Sequence, residues 1–177
     1  MQHDGVDIII QQWQHERPDL DPEPMGIIGR ISRLAQHLDR YIERELQPLG
    51  LSSGEFDVLA TLRRAGTPYQ LTPTALFRSL MLSSGAMTNR IDRLERAGWV
   101  RRRPDPTDRR GTLVQLTSEG VQLVNRAVEA HIENERRLLT TLSAEERVQL
   151  RDALRRLLGS FETRERDGDA RDANVEG

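Results

Sequence analysis

Gly85, Asn89, Asp92, Arg93 and Arg96 return to one side of a helix at 100° per residue, so small, amide and guanidinium groups share a face. An amide can bond an adenine edge at two points, and a guanidinium a guanine edge or a phosphate. This is the chemistry of a reader of duplex DNA. Further on, Arg109 and Arg110 stand side by side in Asp105-Pro106-Thr107-Asp108-Arg109-Arg110-Gly111, and guanidinium groups of this kind suit the negative potential of a narrow minor groove. From Arg90 to Arg110 there are eight arginines and four acids, a local net charge of +4 within a chain whose formal net charge is -2. The average conceals a basic reading head.

These residues need particular elements beneath them. Met87, Ile91 and Leu94 at i, i+4 and i+7 predict a helix with one buried face, with Ser83 or Ser84 as N-cap and Gly98 as its stop. Arg90 falls on the flank of that buried face. Trp99–Arg103 and Thr112–Leu116 are β-prone runs joined by a segment rich in Pro and Gly, which predicts a hairpin, or wing. Upstream, Thr72-Pro73 is a cap followed by a first-turn proline, opening a short helix to about Leu80. A short helix, a turn, a capped helix and a basic hairpin together make a winged helix-turn-helix. The expected DNA contacts are Ser83, Ser84, Gly85, Thr88, Asn89, Arg93, Arg96, Arg109 and Arg110. Asn89 and Arg93 would read bases and Arg109 would enter the minor groove. Arg110 would brace the wing against Asp108 or Asp92.

The remaining chain reads as helix. Val6, Ile9, Ile10 and Trp13 form the stripe of a first helix from Asp4 to Glu16, which must dock and so bury Trp13. A long helix from Met25 to about Gln47 carries Ile27, Ile28, Ile31, Leu34, Leu38, Tyr41, Ile42 and Leu46 inward. Ser52 and Glu55 form a capping box for a helix to Arg64, with Asp57 off its main apolar stripe. Thr117 caps a helix to about Leu139, and Ser143 with Glu146 caps a last one to about Phe161. The apolar surface of the two final helices exceeds what one small domain could cover, so pairing with a second copy, together with the N-terminal helix, is expected, the alternative being an intrachain helical hairpin. The domain plan is an N-terminal helix and Pro-rich linker at 1–24, and a winged helix-turn-helix domain at 25–162. That domain has a DNA-binding lobe at about 51–116 and dimerisation helices at 25–47 and 117–162. A polar tail at 163–177, without periodicity, is expected to be disordered. The fold class is mainly α with a small β-hairpin.

Composition narrows the function. The 177 residues contain no cysteine, which excludes disulfides, thiolate metal sites and cysteine nucleophiles. The four histidines show no metal spacing, and there is neither a Gly-rich phosphate loop nor a GxSxG elbow, so no enzyme is expected and no cofactor. No apolar run approaches the ~20 residues of a membrane span and no signal peptide opens the chain, so a cytoplasmic location is expected. The alternative to a DNA reader is a helical protein-interaction or scaffold module.

The segment SSGAMTNRIDRLERAGWVRRRPDPTDRRGTLVQLTSEG resembles the MarR family of bacterial transcriptional regulators. The resemblance covers about Met25 to Leu158. It is most specific at Arg93-Leu94-Glu95 with Gly98, at the wing from Asp105 to Arg110, and at Leu116-Thr117 with Gly120. It implies a homodimer on a pseudo-palindromic operator, usually a repressor released by a small ligand. The extra N-terminal helix with Trp13, together with Asp57 and Arg90, is similar to the urate-responsive subgroup. This implies that these three residues line a pocket for a small anionic aromatic effector, urate-like, linked to the recognition helix. Where some members carry a further polar pocket residue, this chain has Ala65. Asp57 and Arg90 read equally well as an ordinary ion pair or as solvated charges.

Overall fold

The computed structural model describes residues 3–80, 84–108 and 110–173, with the backbone alone for 84–86 and 164–173. The chain divides into two compact units, residues 1–134 and 135–177. The helices are α1 (Gly5–Glu16), α2 (Glu23–Leu46), α3 (Ser53–Arg64), α4 (Pro73–Leu80), α5 (Ser84–Arg96), α6 (Ser118–Leu138) and α7 (Ala144–Ala173). The strands are β1 (Gln70–Leu71), β2 (Val100–Pro104) and β3 (Thr112–Leu116). They form one antiparallel sheet in the order β1-β3-β2, with Arg102 opposite Val114 and Leu71 opposite the same Val114 on the other side. The hairpin is the expected wing. Its third strand, β1, was not expected, because two residues are too few to show a period.

Local chemistry sets the helix boundaries. Ser52 Oγ accepts the Glu55 amide at 3.3 Å, and Glu55 Oε2 accepts the Ser52 amide at 2.9 Å, closing the capping box of α3. Thr72 Oγ1 caps α4 through the Ala75 amide at 3.1 Å. Past α5, Gly98 adopts φ 76°, a left-handed conformation open to glycine, and the Trp99 amide returns to the Leu94 carbonyl at 3.0 Å. That reversal sends the chain straight from α5 into β2.

The core of the first unit gathers Leu59 and Leu62 of α3, Leu76 of α4 and Met87, Ile91 and Leu94 of α5. Val100, Val114 and Leu116 of the sheet join them, as do Leu123, Val124 and Ala127 of α6. The buried face expected of the recognition helix is therefore the one observed. At the wing's exit Thr117 fastens three things at once. Its amide donates to the Trp99 carbonyl at 3.1 Å, its hydroxyl donates to the Gly98 carbonyl at 2.7 Å, and its Oγ1 accepts the Gly120 amide at 3.0 Å. Gly120 lies so close to the turn before β2 that a Cβ there would sit 2.0 Å from the Trp99 carbonyl oxygen.

Helix α1 opens with a capping box between Asp4 and Asp7 and packs on α2 of its own chain. Two glycines make the approach close: a Cβ at Gly29 would meet Val6 at 3.4 Å, and one at Gly26 would meet Ile10 at 3.0 Å. Arg30 latches the pair, donating from Nε to Asp4 at 2.9 Å and from Nη2 to Asp7 at 2.5 Å. Docking through Val6 and Ile10 turns Ile8, Ile9 and Trp13 outward. Trp13, expected to be covered, is thus 43% exposed. The α2 stripe also differs from expectation. Leu46 is fully buried, whereas Ile27, Ile28, Leu34 and Tyr41 are exposed because nothing in the described chain covers that side.

In the second unit Ser143 and Glu146 form the expected capping box of α7, the Ser143 amide donating to Glu146 at 2.7 Å. Val148, Leu150, Leu154, Leu158 and Phe161 are exposed on this helix. Exposed apolar side chains in such numbers mark an association face. The helix runs past the expected end at Phe161 to Ala173, so the tail expected to be disordered from 163 is helical that far. Glu165, Arg166, Ala170 and Arg171 are strong helix formers and no proline interrupts them. Residues 174–177 lie outside the described residues. Among the described residues, no helix is long and apolar enough to cross a membrane.

Candidate nucleic-acid interface

Helix α5 presents the face opposite Met87, Ile91 and Leu94. Thr88 and Asn89 are exposed there, and so is Arg96, whose Nε donates back to the Asp92 carbonyl at 3.2 Å. Arg93 is also exposed, but its Nε lies 3.1 Å from Oε1 of Glu55, a carboxylate whose residue is only 3% exposed. Ser84 and Gly85 form the first turn of α5, with side-chain positions outside the description; Ser83 and Arg109 lie outside the described residues altogether. Arg110 is exposed at the wing's tip.

Glu55 was read from sequence only as a cap, yet it does more. Its Oε2 accepts both the amide and the hydroxyl of Ser52, at 2.9 and 2.8 Å, while Oε1 faces Arg93. One buried carboxylate therefore starts α3 and tethers α5. Glu55→Ala should cost about 1–2 kcal/mol in a urea melt, since it removes the cap and leaves the Ser52 amide unpaired. A melt unchanged from the parent would show that water replaces both bonds without loss.

The wing is built on arginine, though not as expected. Asp92, one of the two anticipated braces for Arg110, is taken by Arg102, whose Nη2 donates to it at 2.5 Å. The other arm of Arg102, Nη1, donates to Glu95 Oε2 in a short ion pair, and its backbone amide donates to Glu95 Oε1 at 2.9 Å. These two carboxylates raise the Arg102 pKa, Asp92 most of all. Arg110 instead uses its backbone amide, which donates to Asp108 Oδ1 at 2.9 Å. On the other face of β2, Gln115 Oε1 accepts Arg101 at 2.8 and 3.0 Å and Arg103 at 3.4 Å, while its Nε2 donates to the Pro68 carbonyl at 3.0 Å. At the tip, Asp105 accepts the hydroxyl and amide of Thr107, which hold its carboxyl below the ordinary range. Arg102 and Gln115 were not singled out from sequence. A run of three arginines on a strand gives no sign of which partner each will find.

Arg90 points back into the protein. Its guanidinium lies on Gly54 at the start of α3, where a Cβ would sit 2.3 Å from Cζ, and its Nη1 is buried with no hydrogen-bond partner. Asp57 lies on the open side of α3, yet enough protein surrounds its carboxyl for burial to raise the pKa. Arg90 opposes this first, then His131 and Arg64. Asp57 and Arg90 thus sense each other electrostatically without a direct hydrogen bond. The His131 ring packs on Phe56 with centroids 4.9 Å apart. Trp13 lines a groove with Ile8, Gln11, Gln12, His15 and Glu16 of its own helix.

Comparison with known proteins bears on what this head reads. The model of the MarR family matches residues 51–112, from the residue before the cap of α3 to the first residue of β3. The chain is 49% identical over 152 residues to the HTH-type transcriptional regulator PecS of Dickeya dadantii, covering 86% of this chain and 92% of that protein. It is 34% identical over 133 residues to the multiple antibiotic resistance protein MarR of Salmonella typhimurium, covering 74% and 90%. A crystal structure of a MarR mutant from E. coli complexed with operator DNA superposes with a TM-score of 0.67 at 30% identity, over 82% of this chain and 97% of that one.

Proposed function

Because the chain belongs to the MarR family, we propose that the outer face of α5 and the tip of the wing read its operator. Asn89 and Arg93 address base edges in the major groove, and Arg109 enters the minor groove beside Arg110. Ser83, Ser84, Gly85, Thr88 and Arg96 complete the proposed set of DNA contacts. The protein is a DNA-binding transcriptional regulator and not an enzyme: a ligand-responsive repressor acting as a homodimer on a pseudo-palindromic site, with a cytoplasmic place of work. The observation that carries the assignment of residues is the joining of an exposed Asn89 face and an arginine-built wing through Gly98. The scaffold alternative leaves that polar face without a purpose.

The effector we propose is a small anionic aromatic molecule, urate by resemblance, held by Arg90 beside Asp57. Its support is the buried, unpartnered Nη1 of Arg90, a planar cationic fork next to a carboxyl whose pKa burial has raised. His131 belongs to the same neighbourhood.

A duplex selected by the wild-type chain from a random-sequence library tests the DNA assignment. Asn89→Ala should relax the selected sequence at the contacted base by roughly 1–3 kcal/mol. Arg109→Ala should weaken all duplexes more evenly and lower the salt slope by about one phosphate contact. If both variants select and bind as the parent does, the reading face lies elsewhere.

A further inference from the structure

Arg102 is the wing arginine held by two carboxylates of the recognition helix. Both arms of its guanidinium are taken, one by Asp92 and one by Glu95, and its backbone amide is taken by Glu95 as well. Its two acceptors stand three residues apart on α5, on the side facing β2, so the three side chains tie the recognition helix to the hairpin beyond the Gly98 turn. Pairs as exposed as these contribute little to global stability, and the fold around them is already held by Leu94, Val100 and Leu116.

Their value lies in geometry. Two elements that must enter different grooves together bind well only if their relative angle is fixed before the encounter; otherwise binding must order them. We propose that Arg102 is a positioning residue, a strut clamped by Asp92 and Glu95 that holds the wing at its working angle to α5, and that it makes no phosphate contact. The two acids belong to the device. They are negative charges in a head that reads a polyanion, and they are tolerated there because Arg102 neutralises them and they orient it. This rests on the DNA-reading role, and a wild-type chain that selects no duplex would overturn both.

The acids supply a test in which the two readings differ in sign. Fluorescence titrations of full-length protein with the duplex selected by wild type are made across a salt series for Arg102→Gln, for Asp92→Ala/Glu95→Ala and for the triple variant, with a thermal melt of each. The strut predicts that removing the acids weakens binding about tenfold, although it makes the head more positive. Arg102→Gln should weaken it by a similar factor with the salt slope of wild type, and the triple variant should be no worse than either, as expected of groups acting as one unit. Melts should stay near wild type. If removing the acids tightens binding, or if Arg102→Gln lowers the slope by about one phosphate, Arg102 is an ordinary backbone contact and the proposal fails. Should the melts collapse in step with affinity, the role is merely structural and the proposal fails equally.

Discussion

Gly120→Ala should lower stability by about 1–3 kcal/mol or more, the range for forcing a methyl group into a filled space. The new Cβ would lie 2.0 Å from the carbonyl oxygen of Trp99 and 2.9 Å from its carbon, both backbone atoms with no torsion to swing away. Moving Trp99 does not relieve the clash cheaply, because its carbonyl accepts the Thr117 amide and its amide is bonded to Leu94. The strain therefore spreads to the cap of α6 and the stop of α5 together. Gly159→Ala on α7 is the control, since no atom outside its own helix lies within 4 Å of a Cβ built there. That change should stabilise by up to about 1 kcal/mol, as alanine does in a helix interior. Urea melts of the two variants should move in opposite directions. Gly120→Ala with a parental midpoint would mean that α6 can stand off from Trp99 at no cost.

Effector and operator should oppose each other through Arg90. An anion paired with its guanidinium beside Gly54 would press on α5, the helix that carries Asn89 and Arg93, and a coupling of about 1–3 kcal/mol corresponds to a 5–150-fold loss of operator affinity. Linkage requires that operator DNA weaken the anion's binding by the same factor. Calorimetry with urate as the probe, with and without the selected duplex, measures both sides. Arg90→Ala should abolish urate binding and its effect on DNA together. Binding absent from wild type, or untouched by the substitution, would sink the effector proposal and leave DNA recognition standing. Asp57 adds a pH dependence of known sign: its pKa is already raised by burial, and a bound anion would raise it further. Complex formation then takes up protons, and urate should bind more tightly as pH falls toward that carboxyl's range.

Much of this head was legible in the sequence because its signals are local. Ser52 with Glu55, Thr72, Thr117 and Ser143 with Glu146 each cap the helix that follows within a turn. Gly98 stops α5, and Met87, Ile91 and Leu94 report its buried side. Periodicity also placed Arg90 at the edge of that side, where the structure has it. What sequence could not give was the partner of each charge. Arg93 and Arg102 look alike in the one-dimensional pattern, yet one faces Glu55, whose residue is 38 positions earlier in the same numbering, and the other faces Asp92 and Glu95 on the neighbouring helix. Such pairings depend on how α3, α5 and the sheet pack, not on spacing. Trp13 shows a different limit. An amphipathic stripe announces that something must cover it, and says nothing of whether its own chain does so.

The latch between Arg30 and the two acids that open α1 bears on assembly kinetics. An arm that swings free until subunits meet must be ordered during the encounter, which slows productive collisions and makes their rate sensitive to anything that unfolds the arm. Here the arm is already folded onto its own α2, seated on Gly26 and Gly29 and pinned by Arg30. An arm held in this way has less conformational freedom left to lose when two chains meet.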